Sequence, residues 1–215
     1  MQAVVFDLDG VLINSEPLWD EVRRGLASSR NRPWPDDATR AMQGMSTAEW
    51  SRYLAEVVGI PSSAETIAEQ VIGTIARRYE VAVPLIPGAI DAVRRLAGRF
   101  KLGLASSSPR RLIDVVLEAS GLAAVFDATL STEEVEAGKP SPAVYHEIVR
   151  RLGVPPKETA AVEDSSNGLR SAHAAGLFVV ALPHPAFPPA ADALALASVQ
   201  VNALADLTPE LFDAR

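Results

Sequence analysis

The sequence contains no cysteine, which excludes disulfide bonds, thiolate catalysis and cysteine-based zinc sites. Lysine is scarce, since only Lys101, Lys139 and Lys157 occur in 215 residues. No uninterrupted apolar run is long enough to span a bilayer. The N-terminus also lacks the basic segment, apolar run and cleavage site of a signal peptide. We therefore expect a cytoplasmic protein.

Blocks of like charge are also absent, and the formal net charge is −7. This balance argues against nucleic acid or an anionic membrane as the main partner. The chain is 48% hydrophobic and 22% charged, which is ordinary for a globular protein with a sizeable core. We expect it to be a monomer or a weak homodimer.

Short apolar segments alternate with helical patterns through the second half of the chain. Several of the apolar segments carry no polar alternation, which is typical of strands buried on both faces of a parallel sheet. We therefore predict an α/β fold with a Rossmann-like parallel sheet and helices on both faces. The predicted strands after the first one are 101–105, 125–130, 159–162 and 177–182, and the predicted helices between them are 110–119, 142–152 and 167–175.

The segment from 15 to 85 interrupts this alternation. It contains helical patterns only, at 17–28, 47–58 and 64–79, separated by proline-containing breaks. We predict an all-helical domain over 15–85, inserted into a core formed by 1–14 and 86–215. Two short hinges, near 13–16 and 82–87, would join the domains.

Polar clusters follow several predicted strands at the edge where parallel sheets bind ligands. Asp7 and Asp9 end the first strand, 106–108 is a run of serines, and 163–164 is a Glu-Asp pair. Carboxylates two residues apart in a strand face the same side and repel each other. An alternative is that the strand simply ends at an Asp-Gly turn.

Four segments of the chain resemble the motifs of a known family. Asp-Leu-Asp-Gly-Val at 7–11, Ala-Ser-Ser-Ser at 105–108, Gly-Lys-Pro at 138–140 and Glu-Asp-Ser at 163–165 are similar to the four ordered motifs of the haloacid dehalogenase-like hydrolases. The helical insert resembles the cap domain of the subgroup that includes beta-phosphoglucomutase-like phosphatases. The resemblance implies a Mg²⁺-dependent phosphatase that hydrolyses small phosphorylated metabolites, in particular sugar phosphates, through an aspartyl-phosphate.

The family pattern assigns Asp7 as the nucleophile and as a metal ligand. Asp9 would contribute its backbone carbonyl to the metal and its carboxyl as the general acid. Asp164 would bind Mg²⁺, which takes oxygen ligands and leaves positions for substrate and water. Glu163 is either a further metal ligand or an acid beside the metal site.

The serine run and its flanking residues form the predicted phosphate site. Ser106 would bind phosphate through its hydroxyl and Ser107 through its N–H, while Ser108 would cap a helix with Pro109 at its first position. Lys139 would supply positive charge to phosphate and to Asp7. Two backbone positions of the first motif complete the predicted set, Leu8 and Gly10, the latter in a turn that approaches phosphate closely.

The inserted segment separates related chemistries. It contains no lysine, so the Schiff base of phosphonatases has no residue to form on, and the presence of Asp9 disfavours dehalogenation. Mutase relatives carry a histidine and an arginine where this chain has Trp19 and Thr47. Hydrolysis is therefore favoured over the alternatives, a phosphosugar mutase and a non-catalytic sensor of phosphorylated ligands.

The stretch Ser-Glu-Pro-Leu-Trp at 15–19 resembles a segment of sugar-phosphate phosphatases. Glu16 and Trp19 are the predicted substrate-facing residues of the insert, with Trp19 stacking on a sugar ring. The alternative for Trp19 is packing inside the helical domain.

Overall fold

The computed structural model describes residues 1–42, 45–184 and 188–213. The chain divides into two compact units. We call Met1–Asn14 together with Val83–Arg215 the α/β unit, and Ser15–Ala82 the helical unit. Within the described residues, no helix is both long and apolar enough to cross a membrane.

The α/β unit is built on six parallel strands in the order β3-β2-β1-β4-β5-β6. This is the strand order of doubly wound sheets, in which ligands bind where the order reverses. The predicted fold class, a Rossmann-like parallel sheet, is confirmed. The strands are β1 (Ala3–Phe6), β2 (Lys101–Ser106), β3 (Ala128–Ser131), β4 (Thr159–Glu163), β5 (Phe178–Ala181) and β6 (Val199–Gln200).

The helices are numbered in chain order. Among its described residues, the helical unit contains four helices, namely α1 (Glu16–Ser29), α2 (Ala38–Ala41), α3 (Thr47–Glu56) and α4 (Ala64–Val81). The helices of the α/β unit are α5 (Ala89–Ala97), α6 (Arg110–Ala119), α7 (Ala143–Leu152), α8 (Ser166–Ala174), α9 (Ala191–Leu194) and α10 (Pro209–Asp213).

Strand β1 is central and wholly buried, which explains its uniformly apolar sequence. Its last residue, Phe6, pairs with Leu104 of β2 and Val162 of β4. The next residue, Asp7, donates its N–H to the carbonyl of Val162 at 3.0 Å. The register therefore places Asp7 between the carboxyl ends of β2 and β4.

The prediction of a strand over 125–130 was wrong at its start, because β3 begins at Ala128. The apolar residues before it pack on the core from a loop. Phe126 lies edge-on to Phe6 with the ring centroids 6.3 Å apart. The Asp127 carboxylate accepts the N–H of Leu102 at 2.8 Å, which ties this loop to the start of β2.

Helix α7 packs closely against β2 at Gly103. A Cβ at Gly103 would lie 3.1 Å from side-chain atoms of Ile148 and Leu152, so glycine permits the close approach. The same buried face of α7 carries Tyr145, which is 0% exposed. The packing thus directs a tyrosine from α7 into the interior of the α/β unit.

Candidate active site

Lys139 is the centre of a buried charge cluster beyond the ends of the central strands. Its Nζ donates to Asp7 Oδ1 at 2.6 Å, to Glu163 Oε1 at 2.5 Å and to the Ala105 carbonyl at 3.0 Å. An ammonium group has three N–H donors, so all three are used by these protein oxygens. The predicted contact of Lys139 with phosphate therefore requires one of these three hydrogen bonds to be replaced by a bond to phosphate.

The charges around Lys139 outweigh the cost of its burial. Burial lowers the pKa of the Lys139 ammonium, but the carboxylates of Asp7 and Glu163 hold that pKa above its usual range. Its side chain is only 4% exposed and that of Asp7 is 8% exposed. Lys139 is therefore a fixed positive charge against the predicted nucleophile.

Glu163, the last residue of β4, is enclosed on both sides of its carboxylate. Its Oε1 accepts the Tyr145 hydroxyl at 2.6 Å in addition to the bond from Lys139. Its Oε2 lies 3.4 Å from the Ser165 hydroxyl, and a Cβ at Gly168 would overlap the same carboxylate. Glu163 is therefore held by the protein itself.

Asp7, Glu163 and Asp164 each offer a carboxylate oxygen, and these oxygens lie within 4.8 Å of one another. Burial raises the pKa of Asp7 to about 8, opposed by Lys139 and reinforced by Glu163 and Asp9. Burial likewise raises the pKa of Asp164 well above its usual value, as do the nearby charges of Asp7 and Glu163. One ammonium does not balance the charge of three carboxylates. This all-oxygen donor set therefore fits a divalent cation such as Mg²⁺.

Gly10 adopts the left-handed backbone region, with φ of +81°, in the turn after β1. A Cβ at this position would overlap the Asp164 carboxylate. The carbonyl of Leu8 accepts the N–H groups of Leu12 at 2.9 Å and Ile13 at 3.1 Å, while the Leu8 side chain is buried. A glycine here allows the first and fourth motifs to approach each other.

Asp9 bonds to the serine segment at the end of β2. Its Oδ2 accepts the hydroxyl of Ser108 at 2.7 Å and that of Ser106 at 3.3 Å. The N–H of Ser108 donates to Ser106 Oγ at 3.0 Å, which closes a compact turn. Ser107 is exposed between these buried serines. The structure thus brings the predicted general acid to the predicted phosphate loop.

The prediction that Ser108 caps the following helix was wrong. Helix α6 begins at Arg110, Pro109 precedes it rather than occupying its first position, and no side chain at the N-cap bonds to the helix. The Ser108 hydroxyl is instead used by Asp9. The Arg110 N–H donates to the Glu133 carboxylate at 3.1 Å, which supplies a negative group at the helix start.

Two buried residues of the site were absent from the sequence prediction. Ser131, at the end of β3, donates its hydroxyl to the Ser108 carbonyl at 2.7 Å. Tyr145 donates to Glu163. A signal for Tyr145 existed, because it falls on the apolar face of a predicted helix six residues after Lys139. Ser131 had no comparable signal.

Glu16 and Trp19 lie in the helical unit. Trp19 is 7% exposed and packs edge-on against Trp50, with ring centroids 5.6 Å apart. The Arg23 guanidinium lies over both rings, 4.7 Å from Trp19 and 4.8 Å from Trp50. Burial lowers the pKa of the Arg23 guanidinium, and the negative charge of half-buried Glu16 opposes this shift. These contacts give Trp19 the internal packing that the sequence left open as an alternative.

Comparison with known proteins agrees with the fold and identifies the family. The family model of the haloacid dehalogenase-like hydrolases matches residues 1–176. Hexitol phosphatase B of Escherichia coli K12 is 35% identical over 213 residues, covering 96% of this chain and 94% of that protein. The phosphorylated carbohydrates phosphatase of Thermotoga maritima is 34% identical over 178 residues, 82% of each chain.

A solved structure shows the same architecture over nearly the full length. CbbY from Rhodobacter sphaeroides, crystallised in complex with phosphate, superimposes with a TM-score of 0.84 at 25% identity and covers 96% of each chain. The chain belongs to the haloacid dehalogenase-like hydrolases. The prediction of an enzyme of this family, of the phosphatase class, is confirmed.

Proposed function

We propose that this protein is a Mg²⁺-dependent phosphatase of small phosphorylated metabolites, with sugar phosphates as its substrate class. The observation that carries the proposal is the buried bridge from Lys139 to Asp7 and Glu163, beside Asp164. The names of the relatives support the substrate class, since one is a phosphorylated carbohydrates phosphatase and the other is a hexitol phosphatase.

Asp7 is the proposed nucleophile. One of its carboxylate oxygens forms a bond to phosphorus while the bond from phosphorus to the substrate oxygen breaks, which yields an aspartyl-phosphate and an alcohol. Lys139 holds Oδ1 of Asp7, so the carboxylate is oriented before substrate arrives. Water then attacks the phosphorus of the aspartyl-phosphate, releases inorganic phosphate and restores Asp7.

Asp9 is the proposed proton carrier. It donates its proton to the leaving substrate oxygen and later takes a proton from the attacking water. The hydroxyls of Ser108 and Ser106 hold its carboxylate beside the phosphate loop. Ser107 and Leu8 are the proposed backbone contacts to phosphate, whereas the N–H of Gly10 donates to the carbonyl of Ile13 at 2.8 Å.

The residues proposed to hold Mg²⁺ are Asp7, Asp164 and the Asp9 carbonyl. When bound, the ion supplies positive charge that stabilises the transferring phosphoryl group. Glu163 would join this set through Oε2, since its Oε1 accepts both Lys139 and Tyr145. We further propose the helical unit as the cap domain that covers the substrate and excludes water during transfer.

Phosphate release from a panel of sugar phosphates and hexitol phosphates, together with an activated aryl phosphate, tests the proposal. We expect release with Mg²⁺ that is lost in chelator and falls by at least about 10³-fold in Asp7→Asn. Asp91→Asn, an exposed acid on α5, is the matched control and should retain full activity.

Three outcomes would contradict the proposal. Turnover retained in Asp7→Asn excludes the covalent mechanism. No phosphate release from any compound, with interconversion of phosphosugars after priming by a sugar bisphosphate, would identify a mutase instead. Binding of phosphorylated ligands without either reaction would identify a sensor.

A further inference from the structure

We propose that Tyr145 is a positioning residue that holds Glu163 and Lys139 in the arrangement in which Lys139 reaches Asp7. The proposal rests on the proposed function, since it concerns the same site. Tyr145 contacts the pair in two ways. Its hydroxyl donates to Glu163 Oε1 at 2.6 Å, and Lys139 Nζ lies 5.2 Å from the centroid of its ring.

The shared oxygen of Glu163 is the basis of this role. Oε1 accepts both the Tyr145 hydroxyl and Lys139 Nζ, so the two donors fix its position from different directions. Because an ionised carboxylate has acceptors only, the tyrosine must be the donor. Without it, Oε1 would keep Lys139 as its donor and the carboxylate could rotate.

The fold places this hydroxyl where a polar atom is costly. Tyr145 is 0% exposed, and the other buried residues of α7 are apolar: Val144, Ile148, Val149 and Leu152. A buried hydroxyl is unfavourable unless it is hydrogen-bonded, and Glu163 supplies the partner. Phenylalanine would fill the same space without that requirement, so packing alone does not account for tyrosine here.

Lys139 needs such support because its side chain has four rotatable carbons and its ammonium is a point charge without fixed geometry. Besides Asp7, the ammonium bonds to Glu163 and to the carbonyl of Ala105, and it lies near the Tyr145 ring. A shift of the ammonium would change the orientation of Asp7, which acts in bond formation. The effect should therefore appear in kcat rather than in KM.

Tyr145→Phe tests the proposal, with Tyr53→Phe on α3 of the helical unit as the control. We expect kcat to fall about tenfold and KM to change less than about twofold, as loss of one hydrogen bond to a charged group predicts. The Tyr53 variant should match the wild type. A lower Tm in Tyr145→Phe with unchanged kcat for the folded protein would overturn the proposal.

Combination with Glu163→Gln tests the route through Glu163. If Tyr145 acts through that carboxylate, Tyr145→Phe should reduce kcat by less than about twofold in the Glu163→Gln background. A full tenfold loss in that background would show an independent effect and overturn the proposed route.

A measurement without activity separates this inference from the proposed function. In metal-free protein, the rate at which Lys139 reacts with acetic anhydride should change several-fold in Tyr145→Phe, while exposed Lys157 reacts equally in both proteins and serves as the internal standard. Unchanged Lys139 reactivity would overturn the inference. An inactive wild type with the expected change in reactivity would instead reject the proposed function alone.

Discussion

Buried charge is handled differently in the two units of this protein. In the α/β unit, Lys139 is paired with Asp7 and Glu163 at the ends of two neighbouring strands, β1 and β4. In the helical unit, Arg23 lies over the rings of Trp19 and Trp50. The first arrangement concentrates groups that can react with phosphate, whereas the second uses a guanidinium as part of a packed core.

The surroundings of Arg23 support this contrast. Burial lowers the pKa of its guanidinium to about 10, although the charges of Glu16 and Asp20 act in the opposite direction. Its Nε has no hydrogen-bond acceptor among the described residues. Arginine tolerates such a position because its planar, weakly hydrated group stacks on aromatic rings. A buried charge in this chain is therefore not by itself a sign of catalysis.

Among substitutions of the buried cations and aromatic residues compared above, replacement of Lys139 should lower kcat the most. We expect Lys139→Met to lower kcat by about 10²- to 10³-fold, because Asp7 loses its fixed partner and three acids remain without their ammonium. Lys157→Met, at an exposed position, is the control and should be fully active. Steady-state kinetics with the best substrate of the panel measures both. Equal kcat in the two variants would refute a catalytic role for Lys139.

The position of Lys139 also shows what a sequence can predict here. Parallel strands end at one edge of a sheet, so motifs at the ends of β1, β2 and β4 must converge whatever the loops do. This reasoning places three of the four motifs, whereas Lys139 lies in the loop before α7 and was assigned to the site only by the resemblance to the family. Tyr145 was not predicted because helical periodicity indicates a buried face, but it does not say which buried group a hydroxyl will meet.

The serine loop marks the limit of local rules. A serine before a helix ordinarily predicts an N-cap, and Ser108 follows that pattern in sequence. In the structure its hydroxyl bonds to Asp9, which is 99 residues earlier in the chain. The competition between a local cap and a distant carboxylate is decided by tertiary contacts, which no local pattern contains.

Substitution of Asp9 should have the next largest effect, and its size should depend on the leaving group. We expect Asp9→Asn to lower kcat about 10²-fold or more on alkyl phosphates, since general acid catalysis contributes about 10² to 10⁴. On an activated aryl phosphate the loss should be less than about tenfold, because that leaving group needs little protonation. Asp91→Asn controls for the loss of an exposed carboxyl.

The ratio of the two losses is the informative quantity for Asp9. Equal losses on alkyl and aryl phosphates would argue that Asp9 acts on structure or metal binding rather than as a proton donor. Ser108→Ala offers a milder test, since it removes the 2.7 Å bond to Asp9 and should give a smaller loss with the same dependence on leaving group.

Substitution of Trp19 should have the smallest effect on catalysis. It tests whether this residue of the helical unit serves packing alone. Its edge-on contact with Trp50 and its contact with Arg23 are those of a core residue. We expect Trp19→Phe to lower the free energy of unfolding by about 1–2 kcal/mol through lost aromatic packing. The change in kcat/KM for a sugar phosphate should stay below about threefold.

Urea unfolding followed by far-UV circular dichroism, together with kinetics on the substrate panel, measures both quantities for Trp19→Phe. Trp34→Phe is the matched control, because Trp34 is a half-buried indole of the helical unit that stacks with Arg24. If Trp19 contacts the sugar instead, kcat/KM should fall more than about tenfold with selectivity among sugars altered and stability little changed. That result would show that a residue of the helical core also takes part in recognition, and the contrast between the two units would then hold for buried charge but not for substrate contact.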